Sequence, residues 1–464
     1  MSHLVSRRSF LKQVAAGMIV MGFNSGLGSW VTVADASHGL SGDLSDFPQF
    51  DGVLVADETS LSEAADDFGH IIHRRPMAVL RPGSVEDIVR LVRFANDHGI
   101  KVAGQGQRHS TQGQAQVEAG VAIQMSSLAT IREINATNAL IEVGVRWIDL
   151  LEQTTAQGLT PPTLPDFIEL SVGGTLSVGG IGGQAFRFGT LCDNVLELEV
   201  VTGKGKLVTC SPTDHAELFH ACRAGLGQFA IIVAARVRLL PVPPMVRVYT
   251  ALYADLATFM ADQERLIDDG RFDYVEGSAL PGTGGAWLYQ IELAKYFTPG
   301  QEPNNLLLTS GLSYLPGTLV TEDKSYFDFA NRLATLIAAL RLSGTWEFPH
   351  PWVNLFVPAP ATAFVTYALN QTNATNMGQG PILLYPMNRS KMKTPFFRIP
   401  DSAHFFVLSL LRTANPPTQE WVQSLSDLNR TLYKQAVAVG GKRYPIDSVP
   451  MLAGDWQHHY APLW

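Results

Sequence analysis

Cysteine is scarce in this sequence, and that scarcity excludes two common kinds of scaffold. The three cysteines among 464 residues, Cys192, Cys210 and Cys222, form neither a CxxC pair nor a metal-type spacing. An odd count leaves at least one thiol unpaired within the chain or paired between chains. We therefore expect that disulfide bonds do not hold the fold together, and we assign no metal site.

Basic charge and long hydrophobic runs are also missing. The sequence carries 34 Lys and Arg against 42 Asp and Glu, a net charge of −8, with no basic block. A protein with that balance is not expected to bind nucleic acid. The apolar run from Val14 to Phe23 is shorter than the roughly 20 residues that a membrane-spanning helix needs. No internal repeat or long low-complexity segment is present, which indicates an ordinary globular chain of two or three domains.

The N-terminus has the pattern of an export signal. The stretch Ser6-Arg7-Arg8-Ser9-Phe10-Leu11-Lys12 closely resembles the twin-arginine signature, and Ala34-Asp35-Ala36 fits a small-x-small cleavage site. The sequence therefore predicts a signal peptide over residues 1–36 and a periplasmic or secreted protein. Because the twin-arginine route carries folded proteins, an exported enzyme of this kind would carry a tightly held cofactor.

What the sequence does contain is glycine in short clusters. The first cluster opens the loop Gly104–Gln114, which follows the strand-like run Ile100–Ala103 and carries one imidazole, His109, near its centre. Glycine lets the backbone approach a ligand closely, and successive N–H groups in such a turn form a concavity for an anion such as a pyrophosphate. Taken alone, the loop is weak evidence for a cofactor site, because short glycine-rich matches are common.

The residues before this loop predict an α/β unit. Ala78–Pro82 has the pattern of a short strand, and Ser84 is a predicted helix N-cap with Asp87 where a capping-box acid would stand. Gly99 is the predicted stop of that helix. The order is therefore strand, helix, strand and glycine loop.

A second glycine cluster lies in Ser171–Gln184, with six glycines among the eleven residues from 173 to 183. That density argues against a helix or a central strand, so we expect a loop. Interleaved apolar residues such as Val172 and Leu176 indicate that the loop is buried, and buried backbone needs polar partners. Two such loops predict a cradle around an extended nucleotide; the alternative is a pair of ordinary surface loops.

The composition changes near residue 243, after a group of prolines. From about 247 to 440 there are fewer glycine loops, more aromatic residues and several Pro-rich connectors. Strand-like runs alternate with predicted helices, among them Leu256–Asp269 and a longer one over Tyr326–Leu342. This half predicts an antiparallel α+β domain flanked by helices.

Longer motifs give the chain a resemblance to the cytokinin dehydrogenases, a branch of the vanillyl-alcohol-oxidase-type flavoproteins. The resemblance runs from about Val79 almost to the C-terminus. The matching motifs are Asp166, Ser171–Arg187, Gly189, Asn194–Glu197, Thr209–Ser211, Gly225–Phe229, Phe272–Gly277, His350–Val357 and Gly380–Asn388.

The resemblance implies an α+β fold with a PCMH-type FAD-binding domain of two α/β subdomains, completed by the C-terminal segment. An antiparallel-sheet substrate domain flanked by helices stands between the two parts. We place the FAD-binding domain at 37–243, the substrate-binding domain at 244–440 and the C-terminal return at 441–464. The family's usual continuation beyond the motif Trp456–Tyr460, ending in a glycine-glutamine pair near the flavin, does not follow Trp464, so we expect a truncated return.

The resemblance also implies residue roles. FAD would be bonded covalently to His109 through its 8α-methyl carbon, and Asp166 would be the catalytic base beside the isoalloxazine. Glu276, a second catalytic candidate, and Trp352 match positions near the substrate entrance. The family usually has glycine where Arg108 stands, and a guanidinium there would either pair with phosphate or crowd the loop. The positions that match FAD contacts of the family are Gly104, Gly106, Gln107, Arg108, His109, Ser110, Gln114, Asp166, Ser171, Ser177, Ile181, Ile231 and Tyr444.

The implied reaction is oxidation of a secondary amine. Hydride would leave the carbon next to the amine for flavin N5 while Asp166 takes the amine proton, and the imine would hydrolyse to an amine and an aldehyde. The partners would be a small-molecule substrate such as an N6-alkyladenine and, as electron acceptor, oxygen or a quinone. Two alternatives stay open: oxidation of an alcohol or sugar CH–OH on the same fold, and a flavin-binding protein without turnover because of the missing C-terminal segment.

Overall fold

A computed structural model describes residues 18–24, 29–33, 35 and 47–464 of the chain. The twin-arginine stretch at residues 6–12 lies outside the described residues, and so do Ala34 and Ala36 of the predicted cleavage site. The export signal therefore stays a prediction.

Two short strands do lie within the predicted signal peptide. β1 (Val20–Asn24) and β2 (Ser29–Thr32) pair as an antiparallel hairpin. The rings of Phe23 and Trp30 lie 5.8 Å and 6.1 Å from the ring of Phe94. Cleavage after Ala36 would remove these two aromatic contacts of Phe94 and leave those with Phe47 and His98.

The first sheet of the FAD-binding half has four strands in the order β3-β4-β6-β5, of which β4, β6 and β5 are parallel. The elements of this part are β3 (Val53–Val55), α1 (Glu58–Ala64), β4 (Ala78–Arg81), α2 (Val85–His98), β5 (Val102–Gln105) and β6 (Val121–Gln124).

The predicted caps of α2 are confirmed, with one difference. Ser84 Oγ accepts a hydrogen bond from the Asp87 N–H, and Gly99 ends the helix in the left-handed region at φ 66°. Asp87 does not complete a capping box at the Ser84 N–H. Its buried carboxylate instead accepts hydrogen bonds from the N–H groups of Asp51, Gly52 and Gly83, which ties the start of β3 to this helix.

The second sheet is antiparallel, with five strands in the order β11-β10-β12-β8-β7. Its strands and the neighbouring ladder of β9 with β13 are β7 (Ile131–Ile134), β8 (Asn138–Glu142), β9 (Leu159–Thr160), β10 (Val195–Thr202), β11 (Leu207–Cys210), β12 (Ala230–Arg238) and β13 (Leu240–Pro241). The helices of this part are α3 (Trp147–Thr155), α4 (Val172–Val178), α5 (Ala185–Phe188) and α6 (Ala216–Cys222).

The second glycine cluster is not a loop throughout, contrary to our expectation. Its first half is the helix α4, and only residues 179–184 are irregular. The glycines serve close packing in this helix, because a Cβ on Gly173 would lie 2.8 Å from Cβ of Val143. Val172 and Leu176 are buried, as predicted.

The third sheet lies in the C-terminal half of the chain and is antiparallel, in the order β17-β14-β16-β15-β19-β20-β18-β21. Its strands are β14 (Met245–Tyr253), β15 (Tyr274–Pro281), β16 (Trp287–Phe297), β17 (Val320–Ser325), β18 (Val353–Pro358), β19 (Ile382–Asn388), β20 (His404–Leu410) and β21 (Lys442–Arg443). The helices of this half are α7 (Leu256–Asp269), α8 (Asn305–Thr309), α9 (Tyr326–Ala330), α10 (Ala334–Ser343), α11 (Thr362–Asn370), α12 (Ala374–Met377), α13 (Gln419–Ala438) and α14 (Ala453–Tyr460).

The predicted helix over Tyr326–Leu342 is wrong as a single element. The chain leaves the helix after Ala330 and re-enters it at Ala334, with Asn331 at φ −96° and ψ 21°. Arg332 lies in this break and pairs with Asp166, in the irregular segment before α4, and with Glu292 of β16. The break keeps turn hydrogen bonds, since the Arg332 backbone N–H donates to the Phe329 carbonyl over 3.2 Å.

Two large hydrophobic cores support the architecture, one mainly under the first two sheets and one against the third. All three cysteines are buried and free. No helix in the described part of the chain has both the length and the apolar character needed to cross a bilayer. Within those same residues, no group of three His, Cys, Asp or Glu side chains is placed to hold a metal ion.

Candidate active site

The loop Gly104–Gln114, called the 104–114 loop below, meets the N-terminus of α4. A Cβ on Gly106 would lie 2.0 Å from Ser171 Oγ, so a side chain here would displace that hydroxyl. A Cβ on Gly104 would lie 3.7 Å from the Ile231 side chain, which is ordinary contact. The close approach of Gly106 to Ser171 and of Gly104 to Ile231 brings together four of the predicted cofactor residues.

The backbone of this loop has unused hydrogen-bond donors. None of the N–H groups of residues 107–110 donates to an acceptor within the described part of the chain. Gln107 is exposed and the other three residues are partly exposed, so these groups are within reach of a ligand. A row of free N–H groups suits an anion. The loop therefore fits the pyrophosphate of FAD.

The backbone of Arg108 has a conformation that glycine adopts more easily. Its backbone is in the left-handed region at φ 53°, which costs roughly 1–2 kcal/mol for a residue with a Cβ. Its guanidinium is already bonded within the protein, because Nη1 donates a hydrogen bond to the Glu63 carbonyl over 2.7 Å. The side chain therefore lies against α1.

His109 lies in a cluster of aromatic rings. Its ring stacks on Phe68 with centroids 4.1 Å apart and 27° between the planes, and Phe167 and Trp352 lie at 5.0 Å and 5.7 Å. Burial among these rings, reinforced by the nearby His350 and a cationic side chain, lowers the pKa of His109 to about 3. The imidazole is therefore neutral at pH 7 and keeps a nitrogen lone pair for bond formation.

The far end of the 104–114 loop contacts the C-terminal segment. Thr111 Oγ1 donates to the Ile446 carbonyl over 2.9 Å, and Gln114 Nε2 donates to the Asp447 carbonyl over 2.9 Å. Residues 446–447 thus touch the loop directly. Gln114, a predicted cofactor residue, uses its amide to hold this contact.

Tyr444 lies at the other glycine segment. Its hydroxyl accepts a hydrogen bond of 3.1 Å from the Gly180 N–H, and its ring is buried. Ile181, the next residue, is buried as well. Ser177 lies one turn earlier, and its hydroxyl donates a hydrogen bond to the Gly173 carbonyl within α4 over 2.7 Å. Tyr444 and Ile181 therefore lie together, and the Ser177 hydroxyl is already bonded.

The second part of the site is a group of ionisable residues around Arg332, called the acidic cluster. Asp166 Oδ1 accepts a hydrogen bond from Arg332 Nη2 at 2.8 Å and from the Tyr274 hydroxyl at 3.2 Å. Arg332 also lies 3.1 Å from Glu292 and 3.6 Å from Glu276. Asp166 Oδ2 has no partner among the described residues and its side chain is 23% exposed.

The surroundings of Glu276 favour the protonated form of its carboxyl group. Burial, with the charge of Asp166 as the second cause, raises the pKa of Glu276 well above its ordinary range. Arg332 opposes this shift, but it is closer to Asp166 than to Glu276. Glu276 Oε1 is buried without a partner among the described residues. Glu276 therefore stands as a neutral acid with a free oxygen.

Asp166 and His109 belong to one continuous site. Phe167 follows Asp166 directly, and its ring contacts His109. On the other side, a Cβ on Gly183 would lie 2.5 Å from the Tyr274 ring, so the glycine segment packs on the strand that carries Glu276. Trp352 Nε1 is buried without a partner among the described residues, which leaves one donor free beside His109.

Sequence reasoning missed several residues of this site, namely Asp67, Phe68, Tyr274 and Arg332. One signal was available for Arg332. In the predicted helix it stands three residues after Phe329 on an otherwise apolar face, where an arginine needs a buried acidic partner. No periodicity marked Asp67 and Phe68. Their contacts with the 104–114 loop join positions about 40 residues apart.

Comparisons with known families agree with this geometry. The family model described as "FAD binding domain" matches residues 76–211. The model described as "Cytokinin dehydrogenase 1, FAD and cytokinin binding" matches residues 243–284 and 278–464. The two matches together cover both halves of the site.

Relatives match over nearly the whole chain. Cytokinin dehydrogenase 4 of Arabidopsis thaliana is 36% identical over 465 residues, which cover 89% of this chain and 88% of the relative. Cytokinin dehydrogenase 1 of the same plant is 38% identical, over 81% of this chain and 70% of the relative. An uncharacterised oxidoreductase, ORF5 in the fasciation locus of Rhodococcoides fascians, is 38% identical over 89% of this chain and 94% of its own length.

The fold is also found in a solved structure. 6-Hydroxy-D-nicotine oxidase from Arthrobacter nicotinovorans superposes with a TM-score of 0.69 over 90% of this chain and 93% of its own, at 19% identity. That likeness confirms the predicted α+β fold with its PCMH-type FAD-binding domain. Together with the sequence matches, it shows that this chain belongs to the cytokinin dehydrogenase family of FAD-binding oxidoreductases.

Proposed function

We propose that this chain oxidises the CH–NH bond of a secondary amine, with FAD attached to His109 and with Asp166 as the base. One observation carries the proposal. Asp166 has one carboxylate oxygen held by Arg332 and Tyr274 and the other free, and the next residue along the chain touches His109. A free acceptor thus lies next in sequence to a ring that contacts His109, the proposed attachment residue.

The residues suit the chemistry of amine oxidation. Bound FAD would supply the hydride acceptor at N5. An amine nitrogen must be neutral to release hydride from its neighbouring carbon, and its N–H can donate to the free Oδ2 of Asp166 and leave its proton there. General-base assistance of this kind contributes typically about 10²–10⁴-fold in rate. The imine product then takes up water and separates into an amine and an aldehyde.

Glu276 and Trp352 would orient the substrate. As a neutral acid, Glu276 can donate a hydrogen bond to an acceptor nitrogen, and Trp352 Nε1 is a second free donor in the same site. Both donors suit a purine ring, which presents several acceptor nitrogens at its edge. This supports an N6-alkyladenine as the substrate, with oxygen or a quinone as the electron acceptor.

A neutral His109 supports covalent attachment. Bond formation removes one hydrogen from the flavin 8α-methyl carbon and one from an imidazole nitrogen, while two electrons pass to an acceptor such as dioxygen. Burial keeps this imidazole unprotonated at pH 7. Acid denaturation of the purified protein should leave flavin fluorescence in the protein band, and His109→Ala should move all flavin to the supernatant.

The substrate proposal is tested with a panel at pH 7. We expect N6-isopentenyladenine to reduce the bound flavin and to yield adenine and an aldehyde, and Asp166→Asn to retain FAD while its kcat falls about 10²–10⁴-fold. Bleaching of the flavin by alcohols or sugars alone would refute amine oxidation in favour of CH–OH chemistry. A yellow protein that no panel member bleaches would refute turnover altogether.

We also propose that the protein is exported by the twin-arginine route. The motif around Arg7 and Arg8 and the small residues at 34–36 support this. Mass spectrometry of the protein from the periplasm or medium should give a chain that begins after Ala36, and replacement of both arginines by lysine should retain it in the cytoplasm. An intact β1–β2 hairpin in exported protein would refute cleavage at this site.

A further inference from the structure

A short segment outside the matched FAD-binding region holds the 104–114 loop in place. It comprises Asp66–His70, called the 66–70 segment below, and it precedes the first residue of the family match at 76. Two backbone hydrogen bonds join it to the loop: the Phe68 N–H donates to the Arg108 carbonyl over 2.8 Å, and the Gly69 N–H donates to the Ser110 carbonyl over 3.1 Å. These bonds bracket His109 on both sides.

The Asp67 carboxylate adds three contacts to this pairing. Its Oδ2 accepts from the Gly113 N–H at 2.7 Å and from Ser110 Oγ at 3.0 Å, and its Oδ1 accepts from the Gly69 N–H at 3.1 Å. The side chain is 5% exposed. All three partners are donors, so both oxygens must remain acceptors. Asparagine at this position would set an N–H₂ group against one of the donors.

Phe68 fixes the plane of the His109 ring. It stacks on His109 at 4.1 Å and, on its opposite face, on His350 at 4.0 Å with 7° between the planes. The Gly69 carbonyl accepts a hydrogen bond from the backbone N–H of His350 over 3.0 Å. Phe68 is therefore sandwiched between two imidazoles and anchored to the substrate-binding half.

We propose that Asp67 and Phe68 are positioning residues for attachment of the flavin to His109, Asp67 by fixing the loop backbone and Phe68 by fixing the orientation of the imidazole. This inference rests on the covalent attachment proposed above. Bond formation needs one imidazole nitrogen in line with a single carbon of the flavin, and misplacement by about 1 Å can cost on the order of 10²-fold in rate. Neither residue contributes an atom to the new bond.

The test measures how much of the bound flavin is covalent. Wild type, Asp67→Asn and Phe68→Leu are purified, total flavin is read from absorbance, and the protein is then precipitated with acid and its fluorescence compared with that of the supernatant. We expect both variants to bind FAD but to show a covalent share of that flavin at least about tenfold lower than wild type. Phe68→Tyr, which keeps the ring, should restore the wild-type covalent share.

Asp66→Asn is the matched control. Asp66 is the adjacent carboxylate, and it faces His70 at 2.7 Å and His73 at 3.3 Å instead of the loop. We expect its covalent fraction to equal that of wild type.

Three results would overturn the inference or its premise, and they are distinguishable. Wild-type covalent fractions in both Asp67→Asn and Phe68→Leu would overturn the positioning roles. Loss of total flavin from both, with circular dichroism unchanged, would also overturn them, because the segment would then serve binding instead of presentation of His109. Flavin released entirely from wild type would overturn covalent attachment itself. Phe68→Leu provides an independent test if Asp67→Asn does not fold.

Discussion

The protonation of Glu276 can be tested through stability without any substrate. Its pKa is raised well above the ordinary value of 4.5, first by burial and second by the charge of Asp166. In the pH range between 4.5 and the raised value, the folded protein keeps a proton that the unfolded chain releases. The folded state therefore loses stability as pH rises through that range, by about 1.4 kcal/mol per pH unit.

Glu276→Gln removes this pH dependence, because glutamine resembles the neutral acid and does not titrate. The stability of the variant relative to wild type should therefore climb with pH by the same amount. With an unfolding entropy of about 2.1 cal/mol/K per residue, this change in relative stability shifts the thermal unfolding midpoint of the variant, relative to wild type, by about 1–3 °C per pH unit. The lower figure applies when the whole chain melts as one unit, and the upper figure when residues 244–440 melt alone.

The assay is thermal unfolding of wild type and Glu276→Gln at pH 5, 6 and 7. Glu302→Gln is the control, since Glu302 is exposed and a hydrogen bond from the Gly300 N–H lowers its pKa; its difference from wild type should not climb. A constant difference between wild type and Glu276→Gln over these pH values would show that Glu276 is ionised in the folded protein. The assignment of Glu276 as a hydrogen-bond donor would then be wrong.

Three further predictions concern the loop and the acidic cluster. Gly106→Ala should lower the flavin-to-protein absorbance ratio, because its Cβ would lie 2.0 Å from Ser171 Oγ and displace that hydroxyl, whereas Gly104→Ala, at 3.7 Å from the Ile231 side chain, should keep the wild-type ratio. Arg332→Gln leaves partly buried carboxylates without a counter-charge, so we expect the free energy of unfolding to fall by about 3 kcal/mol or more. Arg332→Lys keeps a positive charge, so its loss should be smaller. Arg108→Gly removes left-handed strain, so flavin fluorescence in the denatured protein band should stay at the wild-type level.

Local signals in the sequence were sufficient where short-range chemistry decides the structure. Ser84 and Gly99 marked the ends of α2, and the helix Leu256–Asp269 was predicted with its observed bounds. In each case the deciding interactions join residues close in sequence.

The sequence pattern failed where distant contacts override local preference. Residues 326–342 were predicted as one helix, yet the helix breaks at Arg332, which pairs with Asp166 of a loop and with Glu292 of β16. Glycines at 173 and 174 argued against a helix, but α4 needs Gly173 to pack on Val143. The residues of the candidate site were found mainly through motifs, because no local pattern shows that a carboxylate and an imidazole 57 positions apart (109 to 166) share a site.

The hydrogen bonds of Thr111 and Gln114 to residues 446 and 447 also affect the order in which the chain folds during synthesis. They span 335 and 333 positions, so the ribosome completes the glycine turn long before it makes the partners of that turn. During synthesis the loop cannot reach its final contacts, and long-range contacts of this kind form late in folding. We expect cofactor capture to follow release of the chain, and FAD added during translation should give no advantage over FAD added afterwards.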